Sequence, residues 1–280
     1  MNPGRDDLVP LIDSERPVAV VTGSSSGIGR AIAIQLAKQG FDLIVHAGRN
    51  LQRAEETAAL VRGQTANALV SMCDFSQVSD GFERFVHEAF AWRGSIACWI
   101  NNAGGDVLTG ARKDWPFEEK LDYLWQVDVR STLLLSRLVA ERMIRNEVQG
   151  KADANLGSVI NVGWDQAQTG LPGASGQMFA CTKGAIMSMT AALAKTYAPR
   201  VRFNCVAPGW IQTQWGEEAD PAWSELVAQQ SLQRRWGQPQ DVASVVGFLV
   251  SPSGTFINGQ CLPVNGGLGE LSCELRTRLC

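Results

Sequence analysis

The residues best placed to do chemistry lie near the start of the chain, in Thr22-Gly23-Ser24-Ser25-Ser26-Gly27-Ile28-Gly29, between the apolar run Val18-Ala19-Val20-Val21 and the helical stretch Arg30-Ala31-Ile32-Ala33-Ile34-Gln35-Leu36-Ala37. Glycines at 23, 27 and 29 permit a tight turn and close backbone approach. The first N–H groups of the following helix have no intrahelical partner and point at whatever sits in the turn, which suits a diphosphate. A glycine triplet alone also fits an ordinary turn; the strand–loop–helix context at the first unit favours phosphate binding. The other reactive side chains are dispersed. Cys73, Cys98, Cys181, Cys205, Cys261, Cys273 and Cys280 are odd in number and mostly sit in apolar runs such as Ile96-Ala97-Cys98-Trp99-Ile100. With only His46 and His87 available and no CxxC pair, no metal site is expected, and buried free thiols are the plain reading.

A phosphate loop needs a scaffold. Short β-branched runs at residues 17–21, 42–46, 68–73, 96–100, 158–162, 201–206 and 260–264 read as seven strands. Between them, residues 28–39, 51–62, 78–92, 117–145, 177–198 and 241–249 carry apolar residues at three- and four-residue spacing and read as helices. This alternation predicts an α/β fold: a Rossmann-type, doubly wound parallel sheet with helices on both faces. No repeat or linker divides the chain, so residues 17–267 are expected to form one domain, with a flexible segment at 1–16 and a tail at 268–280. At 45% apolar, 19% charged and a net charge of −3, the composition is that of an ordinary globular protein and argues against nucleic acid as a partner. No run approaches a membrane span, and the opening residues lack the apolar stretch of a secretory signal, so no membrane association and a cytoplasmic location are expected.

The loop and the motifs after it resemble the short-chain dehydrogenase/reductase family, over roughly residues 17–267. Gly-x-x-x-Gly-x-Gly after Thr22 has that family's spacing; Asp74 ends the third strand where the family places an acid near the adenine; Asn101-Asn102-Ala103-Gly104 matches its motif after the fourth strand. Lys183 lies in the long helix after the fifth strand, Pro208-Gly209 and Thr213 follow the sixth, and Asn258-Gly259-Gln260 with Val264-Asn265-Gly266-Gly267 resembles the usual last strand. The resemblance implies a nicotinamide dinucleotide held by Thr22, Gly23, Ser25, Ser26, Gly27, Ile28, Gly29, Asp74, Asn101, Ala103, Gly104, Lys183, Pro208, Gly209 and Thr213, and a small carbonyl or alcohol substrate. The end of the second strand, His46-Ala47-Gly48-Arg49-Asn50, has no acid to bind an unphosphorylated ribose and offers Arg49 to a phosphate, so NADP(H) is favoured and NAD(H) stays open. Ser26 stands where NADP-using relatives often carry a basic residue.

At the catalytic centre the resemblance fails. The family uses a Ser to hold the carbonyl, a Tyr to protonate it and a Lys four residues later to lower the Tyr pKa. Here Phe179 precedes Lys183 by four residues, and Gly163-Trp164 replaces the Ser position. Asp128 stands where the family commonly has Asn, within reach of Lys183. Loss of a general acid costs ~10²–10⁴ in rate and loss of an oxyanion donor ~10²–10³. Asp165, Gln166, Gln177 and Cys181 are the substitute donors the sequence offers. Trp210, Trp215 and Trp223, in the segment that forms a lid in relatives, either line an aromatic pocket or anchor that lid. Two readings stay open: an oxidoreductase with an altered proton supply, or a nucleotide-binding protein that has lost the reaction. The resemblance also implies a homodimer or homotetramer, since relatives often assemble through the two long helices that stand here at 117–145 and 177–198.

Overall fold

The computed structural model describes residues 16–77, 80–145, 157–213, 216 and 220–267. Strands β1 (Val18–Val21), β2 (Asp42–Ala47), β3 (Ala68–Met72), β4 (Cys98–Asn101), β5 (Gly157–Val162), β6 (Val201–Pro208) and β7 (Cys261–Val264) form one parallel sheet in the order β3-β2-β1-β4-β5-β6-β7. The order reverses between β1 and β4, so the loops leaving the carboxyl ends of these strands diverge and open a crevice.

β1, β2 and β4 are buried along their whole length because helices cover both faces, which is why their central residues read as apolar runs. Side chains alternate between two cores. Ala19 and Val21 pack with Ile32, Leu36 and Val246 under α1 (Gly27–Lys38), α2 (Leu51–Arg62) and the helix over 239–250; Val18 and Val20 pack with Phe85, Trp99, Leu135 and Phe203 under α3 (Asp80–Arg93), α5 (Ser131–Arg145) and α6 (Gly173–Tyr197).

Several expectations are refined. The helix expected over 117–145 is α4 (Phe117–Leu124), a π-helical turn (Trp125–Arg130) and α5. The helix expected from 177 begins at Gly173, immediately after Pro172. A helix not anticipated, α7 (Pro221–Gln230), starts at Asp220, whose carboxylate accepts the N–H groups of Ala222 and Trp223 with Pro221 at the first position. The next helix, α8 (Pro239–Val250), carries a capping box between Gln238 and Asp241. Arg16, counted with the leading segment, instead donates to the Gly40 and Thr65 carbonyls and sits 3.6 Å from buried Asp42, which Arg93 meets at 3.1 Å. The expectations for residues 1–15, for the tail 268–280 with Cys273 and Cys280, and for Trp215 lie outside the described residues. No helix among those described is long and apolar enough to cross a membrane, and they contain no group of three or more metal-ligating side chains.

Candidate active site

The glycine loop crosses the sheet's switch point. Gly23 and Gly27 adopt φ of +63° and +54°, and a Cβ on Gly23 would lie 2.8 Å from the Cα of Ala103, so no larger residue fits there. His46, at the end of β2, braces the turn from below. Its Nδ1 accepts the Gly23 N–H at 3.0 Å while Nε2 faces the Cys73 carbonyl at 2.8 Å, an arrangement that needs the neutral ring with its proton on Nε2. Burial drives the His46 pKa down to about 4, against the raising effects of the Cys73 carbonyl and Asp74. The main chains are tied as well: Ser24 N–H donates to the His46 carbonyl, and His46 N–H to Ser24 Oγ.

Above this loop lies a cleft of about 670 Å³, lined by Gly23, Ser25, Ser26, Gly27, Ile28, Gly29, Arg49, Asp74, Ala103, Gly104 and Thr213. Arg49 Nε donates to Asp74 Oδ2 at 2.6 Å and its second nitrogen to Ser76 Oγ at 2.9 Å. Partial burial alone would raise the Asp74 carboxyl; the hydrogen bonds from Arg49 and Ser76 outweigh it and hold the carboxyl below the usual range. Arg53, Arg112 and Tyr123 also reach this cleft.

A second cavity of about 500 Å³ shares Ile28, Asn102, Gly104 and Thr213 with the first and ends against α6. Phe179 and Lys183, four residues apart, present the same face of that helix. Lys183 Nζ lies 2.9 Å from Asp128 Oδ2, and the other Asp128 oxygen accepts the Gly105 N–H at 2.6 Å. Asp128 is buried and carried by the π turn. Trp164 stands edge-on to Phe179, ring centres 6.3 Å apart, and Trp210 stands edge-on to Trp223 at 5.7 Å. Pro208 and Gly209 close the wall, the Gly209 N–H donating to the Val264 carbonyl.

A family profile described as Enoyl-(Acyl carrier protein) reductase matches residues 23–269. A protein from Streptomyces violaceoruber, named as a ketoacyl reductase of the granaticin polyketide synthase, is 34% identical over 264 residues, covering 90% of this chain and 96% of its own. Dehydrogenase/reductase SDR family member 4 from Sus scrofa is 32% identical, covering 90% and 87%. The chain belongs to the short-chain dehydrogenase/reductase family. The crystal structure of an acetoin dehydrogenase from Salmonella typhimurium superposes with a TM-score of 0.75 at 28% identity over 90% of this chain and 96% of that one. Membership makes the chain an NAD(P)-dependent oxidoreductase by family.

Two residues assigned to the dinucleotide by the short-chain dehydrogenase/reductase motifs are placed elsewhere. Asn101 is buried in the sheet, where it donates to Asn161 Oδ1 and Ser136 Oγ and accepts the Trp99 indole N–H. Strand alternation turns it away from the cleft, and Asn102 lines it instead, its amide donating to the carbonyls of Thr22 and Gly23. Thr22 is also buried; its hydroxyl oxygen accepts the N–H groups of Asn102 and Ala103 and so locks β1 to the loop after β4. Among the substitute donors, Gln177 and Cys181 are exposed and face away from the cavity, and Gln166 is buried beneath it. Asp165 sits behind Gly209, its Oδ2 accepting from Asn265 at 3.1 Å; burial pushes its carboxyl up to about 6. His46, Arg53, Asn102, Arg112 and Ser175 line the two spaces without having been singled out. For His46 the available signal was its position at the end of an otherwise apolar strand facing the glycine loop.

Proposed function

We propose that this short-chain dehydrogenase/reductase uses NADP(H) in preference to NAD(H) and transfers hydride to or from a small carbonyl- or alcohol-level substrate, with an atypical proton supply. The carrying observation is the set of cations in the cleft at the end of β2: Ala47-Gly48-Arg49 brings no carboxylate, and Arg49, which is paired with Asp74, lines the space with Arg53 and Arg112 against the two acids Asp74 and Asp106. A 2′-phosphate is a dianion that planar guanidinium groups match, while an acid at this strand end would repel it. The positive φ of Gly23 and Gly27 and their close packing fit the diphosphate. When bound, the dinucleotide supplies hydride; Lys183, Pro208, Gly209 and Thr213 would hold its nicotinamide half.

A homodimer or homotetramer in the cytoplasm belongs to the same reading, supported by Phe117 and Trp125, exposed along the α4 segment. Phe179 and Trp164 favour a second reading, a nucleotide-binding chain without turnover. Titration of the cofactor-free protein with NADPH and NADH, followed by tryptophan fluorescence, tests the first: NADPH should bind at least about tenfold tighter. Equal binding removes the preference, and absence of both at millimolar concentration removes the oxidoreductase reading.

A further inference from the structure

The cations that line the dinucleotide cleft differ in what already holds them. Arg49 is taken up by Asp74 and Ser76, so its charge is largely balanced. Arg53 is exposed in the first turn of α2. Arg112, by contrast, forms no hydrogen bond or ion pair with the described residues, and its Nε is buried without an acceptor. The second acid of the cleft, Asp106, does not answer it: both carboxylate oxygens turn back to their own loop, accepting the N–H groups of Leu108 and Thr109 and the Thr109 hydroxyl. What fixes Arg112 is aromatic. Its Cζ lies 4.3 Å from the centre of the Tyr123 ring and 5.4 Å from that of Trp115, and these two rings meet at 89° with centres 5.9 Å apart. Tyr123 is itself seated on the main chain, where a Cβ on Gly105 would lie 2.8 Å from its ring. Over residues 108–119 Arg112 alone is not exposed, so an otherwise solvated loop turns a single cation into the cleft. A ring attracts the guanidinium but uses up none of the acceptor partners its N–H groups can take, and a side chain already held loses less freedom on binding. Burial raises the Tyr123 phenol above its ordinary range, and the charges of Arg112 and Arg49 both act against that rise, so the two cations approach one hydroxyl.

From this geometry we infer that Arg112 is the specificity-determining contact for the 2′-phosphate of NADP(H), which is held between Arg112, coming from the loop after β4, and Arg49, coming from the end of β2. A phosphate dianion there gives the buried Nε an acceptor and the uncompensated charge a partner; an unphosphorylated ribose does neither. Arg49 shares its charge with Asp74, so the net positive charge that separates the two dinucleotides is that of Arg112. The inference rests on the NADP(H) reading and names the residue that makes the choice.

The test separates the two. The unsubstituted protein is first titrated with NADPH and NADH by calorimetry; equal affinities remove the NADP(H) reading and this inference with it. Arg112→Gln should then weaken NADPH about tenfold and leave NADH within about twofold, and the unchanged NADH affinity shows that the loop is intact. Arg112→Lys, which keeps the charge but not the planar fork, should lose about threefold for NADPH alone. Tyr123→Leu, which removes the platform, should also weaken NADPH selectively by about threefold, whereas Tyr123→Phe, which keeps the ring, should change neither dinucleotide. Adenosine 2′,5′-diphosphate and adenosine 5′-diphosphate report the same contact without the nicotinamide: Arg112→Gln should weaken the first about tenfold and spare the second. If Arg112→Gln weakens NADPH and NADH alike, Arg112 contacts the shared diphosphate or only props the loop, and if it weakens neither, Arg112 touches no phosphate. Either result overturns the assignment while the NADPH preference of the unsubstituted protein stands.

Discussion

The two ends of the crevice follow different rules. Where the dinucleotide is expected, the backbone of the loop is the expected binding surface, and Gly23, Gly27 and Gly29 are each fixed by a positive φ or by a neighbour that leaves no room for a Cβ. In the cavity against α6 the contacting groups are side-chain tips, and the fold tolerates their exchange: Phe179 and Trp164 pack edge to face, and Lys183 finds a carboxylate. Loop geometry restricts sequence through sterics, whereas a catalytic side chain is restricted only by the reaction. The family's fold therefore survives here beside exchanged side chains.

The largest effect that would sharpen this contrast lies under the loop. His46 is neutral when folded, with a pKa near 4 against about 6.5 when unfolded, so only the unfolded chain takes up its proton between those values. Stability should therefore fall as pH drops from about 6.5 to 4, by up to about 3 kcal/mol relative to His46→Gln, measured by urea denaturation across that range. Asp165, near the other end of the crevice, has the opposite sign. Its folded pKa is raised to about 6, so it adds stability as pH falls through 6. Asp165→Asn should steepen the acid loss by about 2 kcal/mol, allowing for its partial exposure. An unchanged slope in both variants would break the link between the loop and its buried brace.

Next in size, Gly23→Val should weaken NADPH binding by about a hundredfold, because it combines a left-handed backbone with a clash on Ala103. Calorimetry showing near-normal affinity would mean that the backbone is not the binding surface. Arg49→Ala should cost about tenfold in NADPH affinity and leave NADH unchanged in the same titration. The smallest change is expected at the tolerant end. Phe179→Tyr alone should raise ketone reduction by less than about tenfold, since Trp164 still fills the carbonyl position and Asp128 still balances Lys183; a gain near the ~10²–10⁴ of a working general acid would show that only the phenol was missing.

The same contrast explains what the sequence revealed. Seven strands and the glycine loop were legible because period-two and period-3.6 patterns and forced glycines are local signals. Motif order does not say which way a strand residue faces: Asn101 turns into the sheet, and one residue on, Asn102 lines the cleft. His46 was missed since its role depends on β1 and β2 being neighbours, which no local pattern encodes. The pairing of Asp128 with Lys183 was anticipated from the departure from Asn, but the π turn that carries it leaves no signature in Trp125-Gln126-Val127-Asp128-Val129-Arg130.

That turn has a consequence for how the cavity can change. A π turn holds one residue more than α geometry uses for the same rotation. Removing a single residue from 125–130 would restore α geometry and keep α4 and α5 in nearly the same relative phase, because five α residues turn about as far as six π residues. Leu135 and Val139 would stay in the core, and the tightened turn itself would re-aim Asp128 relative to Lys183. The charge balance of the cavity is thus written in chain length as well as in residue identity.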